Sequence, residues 1–340
     1  LASLSDQIEA FLRNALRQKR LEDQRVRQAL RDLRRVLAAV ERVVGQSGVT
    51  ALSPGRNEAI AQVTAAIARS VRDSFGAPQL EALTAALAPF MESQLRFARQ
   101  MVEMAGGDLA APTVQMTATQ AARIVRGVQV AGTTLENQLL SRLPALVADR
   151  VERFIRLGLQ DVAGGQVFAT YESAVVRTVG NAVEATIRTG VHESASFAQQ
   201  MIYAYETDPA WLGPDGLVWT AILDSRVCPV CLRLDGTRYQ LGEPGPYFDG
   251  QNKTSPHPQC RCYMVPWKWR NDTRANGEPV NREATGDRGA EPLSFRAAAS
   301  RWVRDNPETA RAIFGKALGQ RLVDGEISFD QAVKLWSAQG

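Results

Sequence analysis

At 340 residues the chain is long enough for two or three domains and for a substantial apolar core, and its 45% hydrophobic and 22% charged residues exclude a disordered or fibrous class. Forty basic against 36 acidic residues leave a formal charge of +4, too small an excess to imply nucleic-acid binding from composition alone. No stretch approaches the ~18 uninterrupted apolar residues of a membrane span and the amino end lacks a secretory pattern, so the expectation is a protein made and used in the cytosol or inside a particle, without a membrane partner.

The excess charge is one segment. Residues 1–50 hold ten Lys/Arg and six Asp/Glu, while the remainder of the chain is balanced. From Leu12, apolar residues step by fours and threes through Leu16, Val26, Leu30, Leu33, Leu37, Val40 and Val44, with Lys19 and Asp23 breaking the seam, which predicts one long coiled-coil-like helix. Its other faces carry Arg13, Arg17, Arg20, Arg25, Arg27, Arg31, Arg34, Arg35 and Arg42. Such a face suits DNA phosphates, an acidic partner, or simply solvent around a bundle helix.

Residues 51–205 read as a helical domain that follows a Gly- and Pro-containing loop at 45–56. Helical periodicity covers 57–73 and 79–104, the second stretch placing Leu80, Leu83, Leu87, Phe90, Met91, Leu95 and Phe97 near one another in turn. Ala105 to Pro112 interrupts it. Further helices are expected over 114–142, 144–162 and 166–205, Pro144 suiting a helix start and Gly164-Gly165 a break. This part of the chain is expected to be entirely helical.

Residues 206–270 have another texture, with eight of the sixteen prolines, all four cysteines, and Trp211, Trp219, Trp267 and Trp269. Leu217 to Leu223 reads as a strand, and Cys231 to Leu241 as a β-hairpin turning at Asp235-Gly236. Residues 271–292 are polar and nearly free of bulky apolar side chains, which marks a linker or extended arm. A helical pattern returns over 293–340. The fold class expected is mainly α: a helical amino-terminal region, a small α+β Cys/His module resembling a zinc knuckle, and a short helical carboxy-terminal segment.

The chemistry concentrates in that module. Cys228-Pro-Val-Cys231 precedes His257-Pro-Gln-Cys260-Arg-Cys262, five thiol or imidazole groups within 35 residues. Tetrahedral zinc takes four such ligands, and a two-residue gap lets both thiolates of a knuckle reach one ion. A structural zinc is therefore expected on Cys228, Cys231, His257 and one or both of Cys260 and Cys262; if all four cysteines bind, His257 stands behind them. The alternative is one or two disulfides, or reduced thiols in a core.

Catalytic readings find no support in the residues. There is no phosphate-binding loop ending in Gly-Lys-Ser/Thr, no Gly-x-Ser-x-Gly elbow and no Glu-x-Glu pair. His192-Glu193 begins like a zinc-protease helix, but Ser196 stands where its second histidine belongs, so His192 is expected to be a polar face residue. Asp224 and Asp235 are close enough to the cysteines in sequence to be considered as general bases, yet the closed ligand count argues against that, and Asp224, Arg226 and Arg261 are expected either to support the ligands from behind or to form turns. The chain is not expected to be an enzyme.

The string from Trp219 through Asp224, Arg226, Cys228, Cys231 and Asp235-Gly236, followed by Pro256-His257-Pro258-Gln-Cys260-Arg261-Cys262, resembles the phage head morphogenesis family, the Mu F-like minor head proteins. Flanking segments resemble it more loosely, Arg188-Thr189 before the module and Trp302, Phe314-Gly315, Gly319, Arg321-Leu322, Gly325 and Phe329 after it, so the likeness covers about residues 180 to 335. The resemblance implies a minor capsid protein of a tailed bacteriophage, bound to the portal protein inside the capsid at one vertex after assembly in the host cytoplasm. It implies roles in procapsid assembly and in DNA packaging or exit, with the major capsid or scaffolding protein and the packaged DNA as further partners. An internal ejection protein that binds DNA or membrane is the alternative, and a zinc-dependent nuclease a more distant one.

Overall fold

The computed structural model describes residues 4–46, 55–104, 107, 109, 115–130, 132–158, 166–207, 217–239, 260, 262–266, 281–287, 289–294 and 299–338. Its class is mainly α, as the periodicity predicts. The chain divides into two compact units, one of residues 12–93 and 116–195, the other of residues 1–11, 94–115 and 196–340.

In the first unit, helix α1 (Leu4–Gln46) buries Val26, Ala29, Leu33, Val36 and Leu37. The seam thus holds in its middle, while Leu16 is 53% exposed. The break at Asp23 has a purpose: Arg188 of α7 (Gln166–Tyr205) reaches Asp23 at 2.9 Å, Glu22 at 3.3 Å and Glu184 of its own helix at 2.8 Å. Gly180 lets α7 approach α1, since a Cβ there would stand 3.3 Å from Leu30 Cδ2.

Helices α2 (Arg56–Val71) and α3 (Ala77–Met104) are joined without a loop by a π-helical turn at Arg72–Gly76. The expected apolar stripe of α3 is buried at Leu80, Leu83, Leu87, Met91, Leu95 and Phe97. A second π-turn, Gln138–Arg142, links α5 (Leu135–Asn137) to α6 (Leu143–Gly158), so Pro144 lies within a continuing helix instead of starting one. The two π-turns touch backbone to backbone: a Cβ on Gly76 would sit 2.3 Å from the carbonyl oxygen of Leu139. Only glycine fits there.

The helix expected across 114–142 is divided. Helix α4 (Ala118–Gly127), opened by a reciprocal capping box between Thr117 and Gln120, leads into the antiparallel pair β1 (Gln129–Val130) and β2 (Thr133–Thr134), and Gly132 takes φ 77° at the turn. The first two thirds of the chain are therefore not wholly helical. The expected break at Gly164-Gly165 lies outside the described residues.

In the second unit, strand β3 (Leu217–Thr220) is central to a three-stranded antiparallel sheet, flanked by β4 (Arg238–Tyr239) and β5 (Tyr263–Pro266). All four side chains of β3 are buried, Trp219 and Val218 completely. The hairpin expected from Cys231 to Leu241 takes another form. Pro229–Leu234 is a short helix, α8, because Cys228 caps its first turn and Pro229 presets the helical φ. The Asp235-Gly236 turn, with Gly236 at φ 85°, then delivers β4 to β3. The predicted turn chemistry is right and the element before it is different.

The segment expected as a linker or arm contains a hairpin, β6 (Asn281–Gly286) with β7 (Gly289–Ser294). Four short helices follow: α9 (Ala299–Asp305), α10 (Pro307–Phe314), α11 (Lys316–Val323) and α12 (Phe329–Ser337). Trp302, Ile313, Phe314, Leu318, Leu322 and Val333 form their core, with Phe314 edge-on to Phe329 at 6.1 Å. Helices α9 and α12 both pack against α8. The carboxy-terminal helices and the cysteine module are one packed body.

Candidate metal centre

Sheet register assembles the site. Thr220 pairs with Tyr263, so Cys262 is placed one step beyond the paired end of β5, beside the start of the 221–228 turn. That turn is shaped by two carboxylates that bind backbone amides: Asp224 Oδ1 accepts from Arg226 N at 2.9 Å, and Asp235 Oδ1 accepts from Ala221 N at 2.9 Å. For Asp224 this is the turn-forming one of the two roles expected of it. The turn ends on Cys228, whose Sγ accepts from Cys231 N at 3.3 Å.

Cys231, Cys260 and Cys262 are all buried, and their sulfurs lie within 4.8 Å of one another, a group that could hold a metal ion. The Cys231 and Cys260 sulfurs are 3.5 Å apart. Tetrahedral zinc with Zn–S bonds of about 2.3 Å separates neighbouring sulfurs by about 3.8 Å, so the spacing suits thiolates around a shared ion. It is too wide for a disulfide, and none of the four cysteines forms one.

The electrostatics agree with the geometry. The thiol of Cys231 is pushed far up by its hydrogen bonds with Cys228, Cys260 and Cys262 and by burial. At Cys260 the bond to Cys231 acts downward, but Cys262 and burial together carry the group well above its ordinary value. Several thiolates crowded in an apolar pocket repel one another and lack solvation; a divalent cation removes both penalties. The donor set therefore fits a thiophilic ion such as zinc better than a hard cation.

Of the five expected ligands, the structure brings Cys231, Cys260 and Cys262 together and puts Cys228 in contact with the Cys231 thiol. His257 and Arg261 lie outside the described residues. His192 is elsewhere and is not a surface residue. It is buried in the middle of α7, its Nδ1 3.2 Å from Gln18 Nε2, in a polar stretch with the fully buried Glu193 and Ser194. Part of the sequence signal for that burial is the small run Ser194-Ala195-Ser196 beside it and Gly190, where a Cβ would stand 3.3 Å from Leu135.

Sequence reading missed Asp287, at the tip of the β6–β7 hairpin. Its carboxylate accepts from the amides of Glu308 and Thr309 and from the Thr309 hydroxyl, each at 2.7 Å, and its own amide donates to Asn306 Oδ1 at 2.9 Å. The hairpin tip thus caps α10 from a distance of about twenty residues, a partnership that no local motif announces.

Compared with known proteins, the chain matches no family model, no curated protein and no solved structure. Among the described residues, no helix is long and apolar enough to cross a membrane.

Proposed function

We propose that this chain is a minor head protein of a tailed bacteriophage, held on the portal protein at one capsid vertex, where it acts in procapsid assembly and in DNA packaging or exit. The observation that carries the reading is the cysteine cluster in its setting: buried thiols on a small sheet and helix, sealed under the carboxy-terminal helices. Buried thiols as the donor set suit a structural ion. The two nearby carboxylates, Asp224 and Asp235, hold backbone amides and are not poised to activate a water. The order of the motif residues, with its likeness to the head morphogenesis family, supplies the phage context.

In this reading the ion is zinc and its ligands are Cys228, Cys231, Cys260 and Cys262. The metal fixes a module too poor in aliphatic residues to fold securely alone, and the module together with α9–α12 presents a rigid body to the portal. The major capsid or scaffolding protein is a further contact during assembly. The chain has no turnover of its own, and it resides in the host cytoplasm before it enters the capsid interior.

Co-expression with the portal protein of the same phage tests this, read by size-exclusion chromatography with light scattering and by metal analysis. A complex of defined stoichiometry carrying about one zinc per chain supports it. Separate elution across a range of salt concentrations sinks portal binding, and an ejection role would take its place.

A further inference from the structure

We infer that the outer face of α1 is a docking surface for duplex DNA, gripped through its phosphates and without regard to base sequence. Arg13, Arg20, Arg27 and Arg34 recur every seven residues, and Arg17, Arg31 and Arg35 form a second row about a third of a turn away or less. All seven are exposed, on the side of the helix opposite the buried Val26, Ala29, Leu33 and Val36. At a rise of about 1.5 Å per residue the stripe runs for about 33 Å.

Acidic groups beside the stripe are already engaged. Arg188 holds Glu22 and Asp23 from the far side. Asp32 receives Gln28, Gln79 and Arg35. Arg17, Arg20, Arg27 and Arg34 have no acidic partner among the described residues. Those four guanidiniums remain available to an outside anion, while Arg35 is shared with Asp32.

Charge complementarity selects the occupant. A second copy of this face would set arginine against arginine. An acidic protein would offer only exposed ion pairs, each worth little and screened by salt, and no aromatic residue on the stripe could anchor it. Single-stranded nucleic acid binds by stacking its bases on aromatic side chains, which the stripe lacks. A duplex needs neither, because each neutralised phosphate releases condensed counterions and affinity accumulates along a straight row. B-form DNA places about twenty charges along 33 Å of axis, flanking a groove about 12 Å wide that admits a helix. This surface is independent of the portal contact, since it lies wholly on α1.

The full-length protein is titrated into a fluorescently labelled duplex of about 20 base pairs, read by anisotropy between about 50 and 200 mM salt. The set R17Q/R20Q/R27Q/R34Q is expected to lower affinity at least tenfold near the middle of that range and to flatten the salt slope by about three to four. The charge-matched set R69Q/R72Q/R153Q/R177Q, on other exposed positions, is expected to stay within about twofold of this wild-type chain. If the first set loses helix content, R20Q/R27Q replaces it, with about half the change in slope. The proposal is overturned if both sets weaken binding equally, if a single strand binds as tightly as the duplex, or if polyglutamate binds and the duplex does not. Portal co-elution is scored on the same variants: its retention alongside lost duplex binding supports two separate surfaces. Duplex binding without any portal binding by the unaltered protein sinks the assembly reading and supports this one.

Discussion

The sulfurs of Cys231 and Cys260 lie 3.5 Å apart although 29 residues separate them in the chain. Local sequence makes each half of the cluster, but only the β3–β5 register joins the halves. Replacing Cys231 with Ser is therefore expected to lower zinc content well below one per chain and to destabilise the unit containing the module by at least about 2 kcal/mol. Chelation of the unaltered protein should reproduce the shift. Metal analysis with thermal unfolding decides it, and an unchanged melting temperature after complete removal of metal would refute the structural role.

Asp287 gives a pH test. Burial acts upward on its carboxyl, but the Thr309 hydroxyl and the amides of Glu308 and Thr309 outweigh it and hold the group below its ordinary value. A carboxyl whose folded pKa is depressed contributes stability that is fully present above its unfolded value of about 3.9 and is lost as pH falls through the folded value. Asp287→Ala should cost about 1 kcal/mol at neutral pH, and the gap to the unaltered protein should narrow as the pH falls below about 4. Urea unfolding at two pH values would show it; a gap that widens in acid contradicts the assignment.

Gly76→Ala tests the contact between the two π-turns. The added Cβ would meet the Leu139 carbonyl oxygen at 2.3 Å, and that neighbour is backbone and cannot rotate away. A loss of about 1–3 kcal/mol is expected by denaturant unfolding, against little change for Ala77→Gly beyond its helix propensity. Equal effects from the two changes would mean that the contact is loose.

Arg99 and Glu206 form a two-pronged ion pair at 2.6 Å on each arm, with Glu206 only 1% exposed. Arg99→Ala removes the cation paired with a buried carboxylate and is expected to cost about 3–5 kcal/mol. The double change R99M/E206L should recover most of that loss, because it removes both the charge and its desolvation. A double-mutant cycle with no coupling between the two positions would contradict this.

Much of this was legible in the sequence where the signal is local or periodic. The α1 seam at Val26, Leu33 and Leu37, the α3 stripe from Leu80 to Leu95 and the Cys-x-x-Cys spacing all act within a few turns of chain, and each appears where its pattern places it. What escaped depends on partners far away in sequence. Asp287 caps α10 across the intervening chain, His192 is buried against Gln18 some 174 residues earlier, and Asp23 looks like a flaw in a seam until Arg188 is opposite it. The π-turns escaped for another reason: no residue type marks them, and nothing local to Gly76 announces the Leu139 backbone packed against it.

Those π-turns also set phase. An α-helix advances about 100° per residue, so the one extra residue held at Arg72–Gly76 rotates everything after it by that angle relative to an uninterrupted helix. Deleting a single residue there would yield a smoother, more regular helix and at the same time swing Leu80, Leu83, Leu87 and Met91 out of the core toward water. Outside Gly76, single substitutions in this segment are expected to be far better tolerated than any change in its length.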